Sequence, residues 1–388
     1  MMSGSMRWSI SASGQSSFPG FLRLLPTYVV VVARTARVGP DWRPNDTIHN
    51  CRNQPAYQKG ADEMSFFNRG AGIVLAALSA AFTTTANAQF MVMQEIAVET
   101  STPSVDDFLK GNKGESVLIA GHLRLVKSGP PGQVAPKQPV VVLMHGAGGQ
   151  APWNGYINEW ARVLNEAGIS TFNLDSYAGR GIFDAKGLAK LPAVVRVMDA
   201  FAALKVLSKH PSVDSDKIVV MGFSHGSAAA LYSNVARFQK QYGNGLKFAA
   251  NVSMYGLCSV KYDGDEDTVS PLLILHGTAE DWVPFAPCDE YAKRLAKAGK
   301  DVQIFGYPDS YHVFDSPAAG PVRKVDFRTS AGCLLEETQS GVVSRATQKP
   351  LDGADSCWKA SVTLGYNPET TKKAHEDALA FLKEKVLK

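Results

Sequence analysis

The chain has 388 residues, of which 45% are hydrophobic and 20% are charged. This ordinary hydrophobic content suits one large domain with its own core. The formal net charge is +4, but residues 1–88 hold eight of the 40 basic residues and four of the 36 acidic ones. The remainder is formally neutral, so charge gives no reason to expect nucleic acid or an anionic membrane as a partner.

Residues 64–88 have the pattern of a secretory signal peptide. An apolar stretch from Gly72 to Phe82 follows a basic residue, and an A-x-A cleavage site ends at Ala88. Because a signal peptide works at the start of a chain, we expect Met64 to be the initiator and residues 1–63 to be an upstream extension or a misassigned start. An uncleaved membrane anchor is the alternative, although the stretch is shorter than the roughly twenty residues that span a bilayer.

The expected mature chain, residues 89–388, reads as a single α/β domain. Apolar runs alternate with helical stretches, which predicts a mostly parallel sheet with helices on both faces. The predicted strands are Val117–Val126, Val140–His145, Ser170–Leu174, Ile218–Met221, Ala249–Tyr255, Leu272–His276 and Val302–Tyr307. The predicted helices are Asn154–Ala167, Ala193–Ser208, Ser227–Tyr242, Phe285–Ala298 and Thr370–Leu387. The segment from Pro317 to Pro368 breaks the alternation and is expected to form an ordered excursion near the functional edge of the sheet.

Four cysteines remain in the expected mature chain, and an even number in an exported protein suggests disulfide bonds. Three pairings are possible. We favour Cys258 with Cys288 and Cys333 with Cys357, because each pair lies within one local region. This usage predicts a secreted or periplasmic protein, and no His/Cys spacing indicates a metal site.

The sequence around Ser224 is the most informative motif. An apolar, β-branched run precedes Gly222-Phe223-Ser224-His225-Gly226, and an alanine-rich helical run follows it. Strand, sharp turn and helix in this order predict the nucleophile elbow of an α/β-hydrolase, which exposes the serine hydroxyl above the sheet. Ser224 is therefore the predicted nucleophile.

A serine nucleophile needs a base, an acid that orients the base, and donors for the oxyanion. His312 follows a late strand and is the predicted base. The acid is either Glu280 or Asp281, with Glu280 favoured because it lies three residues after Gly277 and four before Pro284, the register usual for the acid in hydrolases.

A glycine-rich turn follows an early predicted strand, at Gly146-Ala147-Gly148-Gly149. The backbone N–H groups of Ala147 and His225 are the predicted oxyanion donors. A phosphate-binding loop is the alternative, but the residues that usually complete one do not follow.

Together these segments, with Asp175-Ser176-Tyr177-Ala178-Gly179-Arg180-Gly181, resemble the dienelactone hydrolase family from about Val117 to Leu387. The resemblance implies an α/β-hydrolase fold, no cofactor, and a triad on Ser224, His312 and one of the two acids. The family's namesakes use a cysteine nucleophile and an aspartate at the expected acid position, so lactone hydrolysis is not implied.

Two further positions are candidate substrate contacts. Arg180 could bind a substrate carboxylate through both guanidinium nitrogens, or it could pair with Asp175 or Asp184. Trp282, like Trp153, would favour apolar or aromatic groups if it faces the pocket, and would otherwise be a core residue.

The sequence thus predicts a hydrolase of small carboxylic esters that works through an acyl-enzyme. The alternatives are a peptidase or amidase with the same triad, and a non-catalytic binding protein on a hydrolase fold. The sequence predicts no oligomeric state.

Overall fold

The computed structural model describes residues 92–127, 133–150, 155–183 and 185–388, without the side chains of residues 185 and 186. The predicted signal peptide, residues 1–63 and Trp153 lie outside the described residues. The strands are β1 Val92–Thr102, β2 Glu115–Leu125, β3 Gln138–Met144, β4 Ser170–Asp175, β5 Val213–Phe223, β6 Ala250–Met254, β7 Val260–Lys261, β8 Leu272–Gly277, β9 Val302–Tyr307, β10 Arg323–Thr329, β11 Leu335–Thr338, β12 Gly341–Ser344 and β13 Lys359–Leu364. The α-helices are α1 Val105–Leu109, α2 Gly155–Glu166, α3 Arg196–Leu207, α4 Ser227–Tyr232, α5 Ala236–Tyr242, α6 Phe285–Lys297 and α7 Pro368–Lys385.

Eight strands form the central sheet in the order β1-β2-β4-β3-β5-β6-β8-β9. All pairs from β4 to β9 are parallel, whereas β2 is antiparallel to both β1 and β4. The six parallel strands therefore end at one edge of the sheet, where ligands bind in open α/β folds. The structure confirms the predicted α/β-hydrolase fold, with its mostly parallel sheet.

The central strands are apolar on both faces, and alternate residues serve two separate cores. Val140 and Val142 of β3 pack with α3 to α6, whereas Val141 and Leu143 pack with α2 and α7. Because β3 and β5 are buried on both sides, the backbone at their carboxyl ends is held firmly in place.

The predicted helix Ser227–Tyr242 is wrong as a single element. The chain leaves the helix at Ser233 and begins α5 at Ala236, with Val235 in an extended conformation. The buried Asn234 side chain exchanges hydrogen bonds with both the N–H and the C=O of Ser270. These tertiary bonds interrupt a run whose local composition favours a continuous helix.

The excursion that follows Pro317 is ordered and contains short strands. β10 pairs with β13, and β11 pairs with β12 and, in parallel, with β7. Disulfide bonds join Cys333 to Cys357 within it and Cys258 to Cys288 elsewhere, which is the pairing that the sequence favours. Two disulfides fit an oxidising compartment. No helix in the described part of the chain combines the length and the apolar character that crossing a bilayer requires.

Candidate active site

Ser224 lies at a sharp turn directly after β5, with the unusual φ of 49°. A Cβ atom on Gly222 would lie 2.2 Å from the carbonyl oxygen of Gly226, and one on Gly226 would lie 2.2 Å from that of Met144. Only glycine fits at either position, because the obstructing atoms are backbone. The two glycines thus allow the close approach of turn and sheet that presents the serine hydroxyl at the sheet edge.

The structure brings Ser224, His312 and Glu280 together from the ends of three parallel strands. Ser224 Oγ lies 2.9 Å from His312 Nε2, and His312 Nδ1 lies 2.9 Å from Glu280 Oε2. The Glu280 side chain is completely buried. Its second oxygen, Oε1, accepts hydrogen bonds of 3.0 Å from the backbone N–H groups of Trp282 and Val283.

This hydrogen-bond chain sets the direction in which a proton can move. A carboxylate accepts only, so it keeps the imidazole proton on Nδ1 and leaves Nε2 free to accept the serine proton. The two backbone donors fix the carboxylate of Glu280, which in turn fixes the ring of His312. The arrangement can therefore generate a nucleophilic alkoxide at Ser224 and stabilise the imidazolium that forms.

Asp281, the alternative acid in the sequence, points away from His312 and towards the excursion. Its carboxylate accepts hydrogen bonds from both the backbone N–H and the hydroxyl of Thr363 in β13, at 2.7 and 2.9 Å. Lys359 donates to its backbone oxygen. The two adjacent carboxylates therefore have separate partners, and Asp281 attaches the excursion to the loop that carries Glu280.

Asp281→Asn is expected to loosen the excursion and to leave turnover nearly unchanged. The variant loses charge-assisted hydrogen bonds to Thr363, which should lower the unfolding free energy by about 1–2 kcal/mol. Amide hydrogen exchange should accelerate over residues 323–364, and kcat should stay within about threefold, because a different carboxylate contacts His312. A loss of kcat as large as that of Glu280→Gln would contradict this assignment.

The predicted oxyanion donors lie on segments adjacent to Ser224. A Cβ on Gly146 would lie 3.4 Å from Ser224 Cβ, so the loop after β3 passes close to the serine. Gly146 donates its N–H to the hydroxyl of Tyr156 at 3.0 Å, which fixes the residue before Ala147. The donor roles of the Ala147 and His225 N–H groups remain predictions.

Arg180 does not face a substrate site, which corrects the prediction of a carboxylate clamp. Its guanidinium donates to both carboxylate oxygens of Asp199 at 2.7 and 2.9 Å, and its side chain is 4% exposed. It also donates to the Thr102 hydroxyl and to the Ser176 backbone oxygen. The pairing with Asp175 is wrong as well, and Asp184 lies outside the described residues.

Sequence patterns did not single out Arg196, which the structure buries completely beside the elbow. Its guanidinium donates to the carbonyl oxygen of His145 and to Ser176 Oγ, and lies 3.4 Å from His225 Nδ1. The one sequence signal is an arginine that directly follows an apolar Ala-Val-Val run at the start of α3.

Two aromatic rings contact the imidazole of His312. The Tyr255 ring is 5.0 Å away between centroids, and the Trp282 ring is 4.6 Å away. The Tyr255 hydroxyl donates to buried Asp315 at 3.0 Å, and Trp160 Nε1 donates to the second oxygen of this carboxylate at 2.7 Å. This network forms the floor beneath His312.

Burial raises the pKa of Asp315 to about 6, despite the hydrogen bonds from Trp160 and Tyr255 that favour its charged form. In the unfolded chain the pKa is about 3.9, so the folded state binds more protons between about pH 4 and pH 6. The stability that Asp315 contributes therefore rises as the pH falls through 6.

Asp315→Asn removes this titrating group. We therefore expect the wild type to gain about 3 kcal/mol of unfolding free energy relative to Asp315→Asn when the pH falls from 7.5 to 3.5. Urea denaturation of both proteins across this range measures the difference, in which the contributions of other groups cancel. A difference that does not change with pH would contradict the raised pKa.

With this geometry in place, comparison with known proteins identifies the family. The dienelactone hydrolase family model matches residues 126–386. The chain belongs to the dienelactone hydrolase family. The match confirms the resemblance seen in the sequence, includes Ser224, Glu280 and His312, and supports hydrolase activity.

Among curated relatives of this dienelactone hydrolase family member is a Bradyrhizobium protein named "Probable 2-oxo-3-(5-oxofuran-2-ylidene)propanoate lactonase". It is 26% identical over 55% of this chain and 86% of its own length. Rat "Inactive dipeptidyl peptidase 10" is 26% identical over 49% of this chain, and rice "Acylamino-acid-releasing enzyme 1" is 25% identical over 46%. The chain spans 27% and 28% of the lengths of these two relatives.

Similar solved structures include the dienelactone hydrolase-like promiscuous phosphotriesterase P91 from metagenomic libraries. It has a TM-score of 0.49 and 18% identity, over 76% of this chain and 98% of P91. The α/β-hydrolase enzyme MGS-M1 from a Medee basin deep-sea metagenome has a TM-score of 0.44 and 14% identity, over 69% of this chain and 93% of its own.

Proposed function

We propose that this member of the dienelactone hydrolase family is an exported serine hydrolase that cleaves small carboxylic esters through an acyl-enzyme. The observation that carries the proposal is the uninterrupted hydrogen-bond chain from Ser224 Oγ through His312 to Glu280, with both links at 2.9 Å. It is located at the carboxyl ends of parallel strands, where the elbow exposes the serine.

In the first half-reaction, Ser224 Oγ attacks the ester carbonyl carbon while His312 Nε2 takes the hydroxyl proton. The tetrahedral oxyanion accepts hydrogen bonds from the N–H groups of Ala147 and His225. The imidazolium then gives its proton to the leaving alkoxide, and the alcohol departs. Water, activated by the same histidine, hydrolyses the acyl-enzyme and restores Ser224.

Export is supported by two disulfide bonds in the described chain. Intracellular reductants keep most cytosolic thiols reduced, so a protein with two structural disulfides suits a secreted or periplasmic location. The predicted signal peptide that ends at Ala88 would direct it there.

Labelling with a fluorophosphonate tests the proposal, because this reagent reacts with activated serine nucleophiles. We expect mass spectrometry to find the adduct on Ser224, and to find none in Ser224→Ala. Ser208→Ala removes a hydroxyl from the exposed end of α3 and is the matched control, with unchanged labelling. Folded, disulfide-intact wild type that neither labels nor hydrolyses esters would overturn the proposal in favour of the binding-protein alternative.

An amide of the same acyl group separates the esterase from the peptidase alternative, which the similarity to the rice acylamino-acid-releasing enzyme keeps relevant. We expect 4-nitrophenyl acetate to be hydrolysed and 4-nitroacetanilide to be left essentially intact. Comparable kcat/KM values for the two substrates would favour an amidase.

Trp282 is the proposed contact for the alcohol part of the ester. During the first half-reaction His312 protonates the leaving oxygen, so the alcohol emerges beside the imidazole, which Trp282 contacts. The Trp282 ring in turn contacts Phe327 of β10 at 4.7 Å, and Phe327 is 36% exposed. This pair offers an aromatic surface from the histidine outwards.

Phe327→Ala is therefore expected to reduce the preference for benzyl acetate over ethyl acetate by about five- to tenfold. The two alcohols are similar in acidity, so the ratio of kcat/KM values reports binding rather than leaving-group reactivity. Phe305→Ala is the matched control, since Phe305 is 37% exposed on β9 and lies near Lys373. An unchanged ratio in Phe327→Ala would remove Phe327 from the substrate site.

A further inference from the structure

We propose that Arg196 is a positioning residue for the oxyanion site. Its guanidinium holds the loop after β3 and the elbow after β5 in the arrangement that the developing oxyanion needs. This inference rests on the proposed function, because it concerns the transition state of the same reaction. It adds to the site a side chain that the sequence patterns do not point to.

The first observation is the cost of placing this cation where it is. Arg196 is 0% exposed, and no carboxylate among the described residues lies within ion-pairing distance of it. The carboxylate of nearby Asp199 is already bonded to Arg180 and to the Thr100 hydroxyl. A buried charge without a counter-ion is strongly unfavourable unless its N–H donors form hydrogen bonds. Nε has no partner among the described residues, so the stabilising bonds are those of Nη1 and Nη2.

The second observation is where the donors point. Nη1 donates to the carbonyl oxygen of His145, two residues before the predicted donor Ala147. The same nitrogen lies 3.4 Å from the ring Nδ1 of His225, whose backbone N–H is the other predicted donor. One planar guanidinium therefore connects the two segments that lie on either side of the site.

His225 is held neutral in this arrangement, which makes its ring an acceptor for Arg196. Burial and the charge of Arg196 lower the pKa of His225 to about 3. The Tyr177 hydroxyl lies 3.2 Å from the same Nδ1 atom, and a neutral ring with its proton on Nε2 can accept there. The guanidinium can only donate, so its contact with Nδ1 requires the neutral ring, and this contact fixes the His225 side chain.

His145 is fixed in a complementary way. Its Nε2 accepts from the Ser176 N–H at 3.2 Å, so its Nδ1–H donates to the carbonyl oxygen of Gly146 at 2.8 Å. Arg196 holds both the carbonyl oxygen of His145 and the hydroxyl of Ser176. The loop that carries Ala147 is consequently held at its first residue through backbone and side chain.

Such fixation matters more for the transition state than for the bound ester. Oxyanion donors must lie about 2.7–3.1 Å from the position that the charged oxygen will occupy, and a misplacement of about 1 Å costs about 10²-fold in rate. The fixed positive charge also favours the negative charge that develops nearby in a site of low dielectric constant. Loss of Arg196 should therefore lower kcat and leave KM almost unchanged.

The test compares Arg196→Met, which removes charge and donors at similar volume, with Arg196→Lys, which keeps the charge but loses the planar fork. Arg294→Met is the control for removing a partly buried arginine, since Arg294 bonds to Asp265 and Glu266 and to no residue of the site. Each protein is assayed for kcat and KM on one ester, with active sites titrated by fluorophosphonate. Its affinity for a trifluoromethyl ketone, which forms a tetrahedral adduct on the serine, is measured in parallel.

We expect Arg196→Met to lose about 10²-fold in kcat per titrated site, with KM within about threefold and analogue affinity falling in parallel. Arg196→Lys should recover about tenfold of that loss, and Arg294→Met should retain wild-type kcat per site. A purely structural role predicts instead that activity falls only with the folded fraction. Unchanged kcat per titrated site, or equal losses in kcat and in ground-state affinity, would overturn the inference.

Should Arg196→Met fail to fold, the lysine variant decides in the same way through its kcat and analogue affinity relative to wild type. Failure of the proposed function is distinguishable, because it would show as a wild type without labelling or esterase activity. A wild type that is labelled and active, with unaffected Arg196 variants, would refute this inference alone.

Discussion

Ser224→Ala is expected to lower kcat/KM for ester hydrolysis by about 10⁴- to 10⁶-fold, because in the proposed mechanism the hydroxyl forms the acyl-enzyme. His312→Ala should cost about as much, since without its Nε2 the hydroxyl is a weak nucleophile at neutral pH. The double variant should be no worse than either single variant, because the two side chains act as one unit. Steady-state kinetics on one activated ester measures all three.

Glu280→Gln extends this prediction to the acid. The amide can occupy the same space but offers His312 a donor or a neutral acceptor, which destabilises the imidazolium and permits the wrong tautomer. We expect a loss of about 10³- to 10⁴-fold in kcat, with Asp281→Asn as the matched control of adjacent position and equal chemistry. Additive losses in the Ser224/His312 double variant, or a fully active Glu280→Gln, would contradict the triad.

Gly226→Ala should destabilise the fold strongly and disable the elbow. The added Cβ would lie 2.2 Å from the Met144 carbonyl oxygen and 2.5 Å from that of His145, both of them backbone atoms at the end of a central strand. Because β3 is buried on both faces, it cannot shift without disturbing both cores. We expect about 3 kcal/mol or more of lost stability, and loss of fluorophosphonate labelling in any folded fraction.

The control for Gly226→Ala is Gly155→Ala. Gly155 begins α2, and a Cβ there would meet nothing within 4 Å. Thermal unfolding and labelling should therefore be near wild type in Gly155→Ala, since alanine favours the helix. Equal melting temperatures for the two variants would show that the elbow tolerates a side chain, which would contradict the close approach of Gly226 to the end of β3.

The sheet and the three residues of the hydrogen-bond chain were accessible to sequence reasoning, because each depends on local pattern and on strand order. Apolar runs fix the strands, and parallel strands bring their carboxyl ends to one edge, so residues after β5, β8 and β9 had to meet. Glu280 could be favoured over Asp281 because its spacing from Gly277 and Pro284 within one short loop is the one usual for the acid. β1, by contrast, was missed although its residues alternate in burial over Val92–Val98.

The two arginines were beyond such reasoning, because their environments are made by distant segments. Arg180 follows a central strand like a ligand-binding residue, yet Asp199 of α3 and Thr102 of β1 enclose it. Arg196 begins an apolar helix, where a charge is expected to reach solvent, yet the loops after β3 and β5 cover it. No spacing in the sequence encodes which of two nearby cations finds a carboxylate.

The neighbouring carboxylates of Glu280 and Asp281 have a consequence for how this protein can change over evolutionary time. Glu280 contacts His312 and is the proposed acid, whereas Asp281 attaches the excursion, whose aromatic residue Phe327 reaches the proposed alcohol site. Under the proposed function, mutations in β10 to β13 are therefore expected to alter which esters are accepted while the proton relay stays as it is. Selectivity and turnover would then be separately adjustable traits, and the excursion would be the natural segment to exchange between homologues when new substrates are sought.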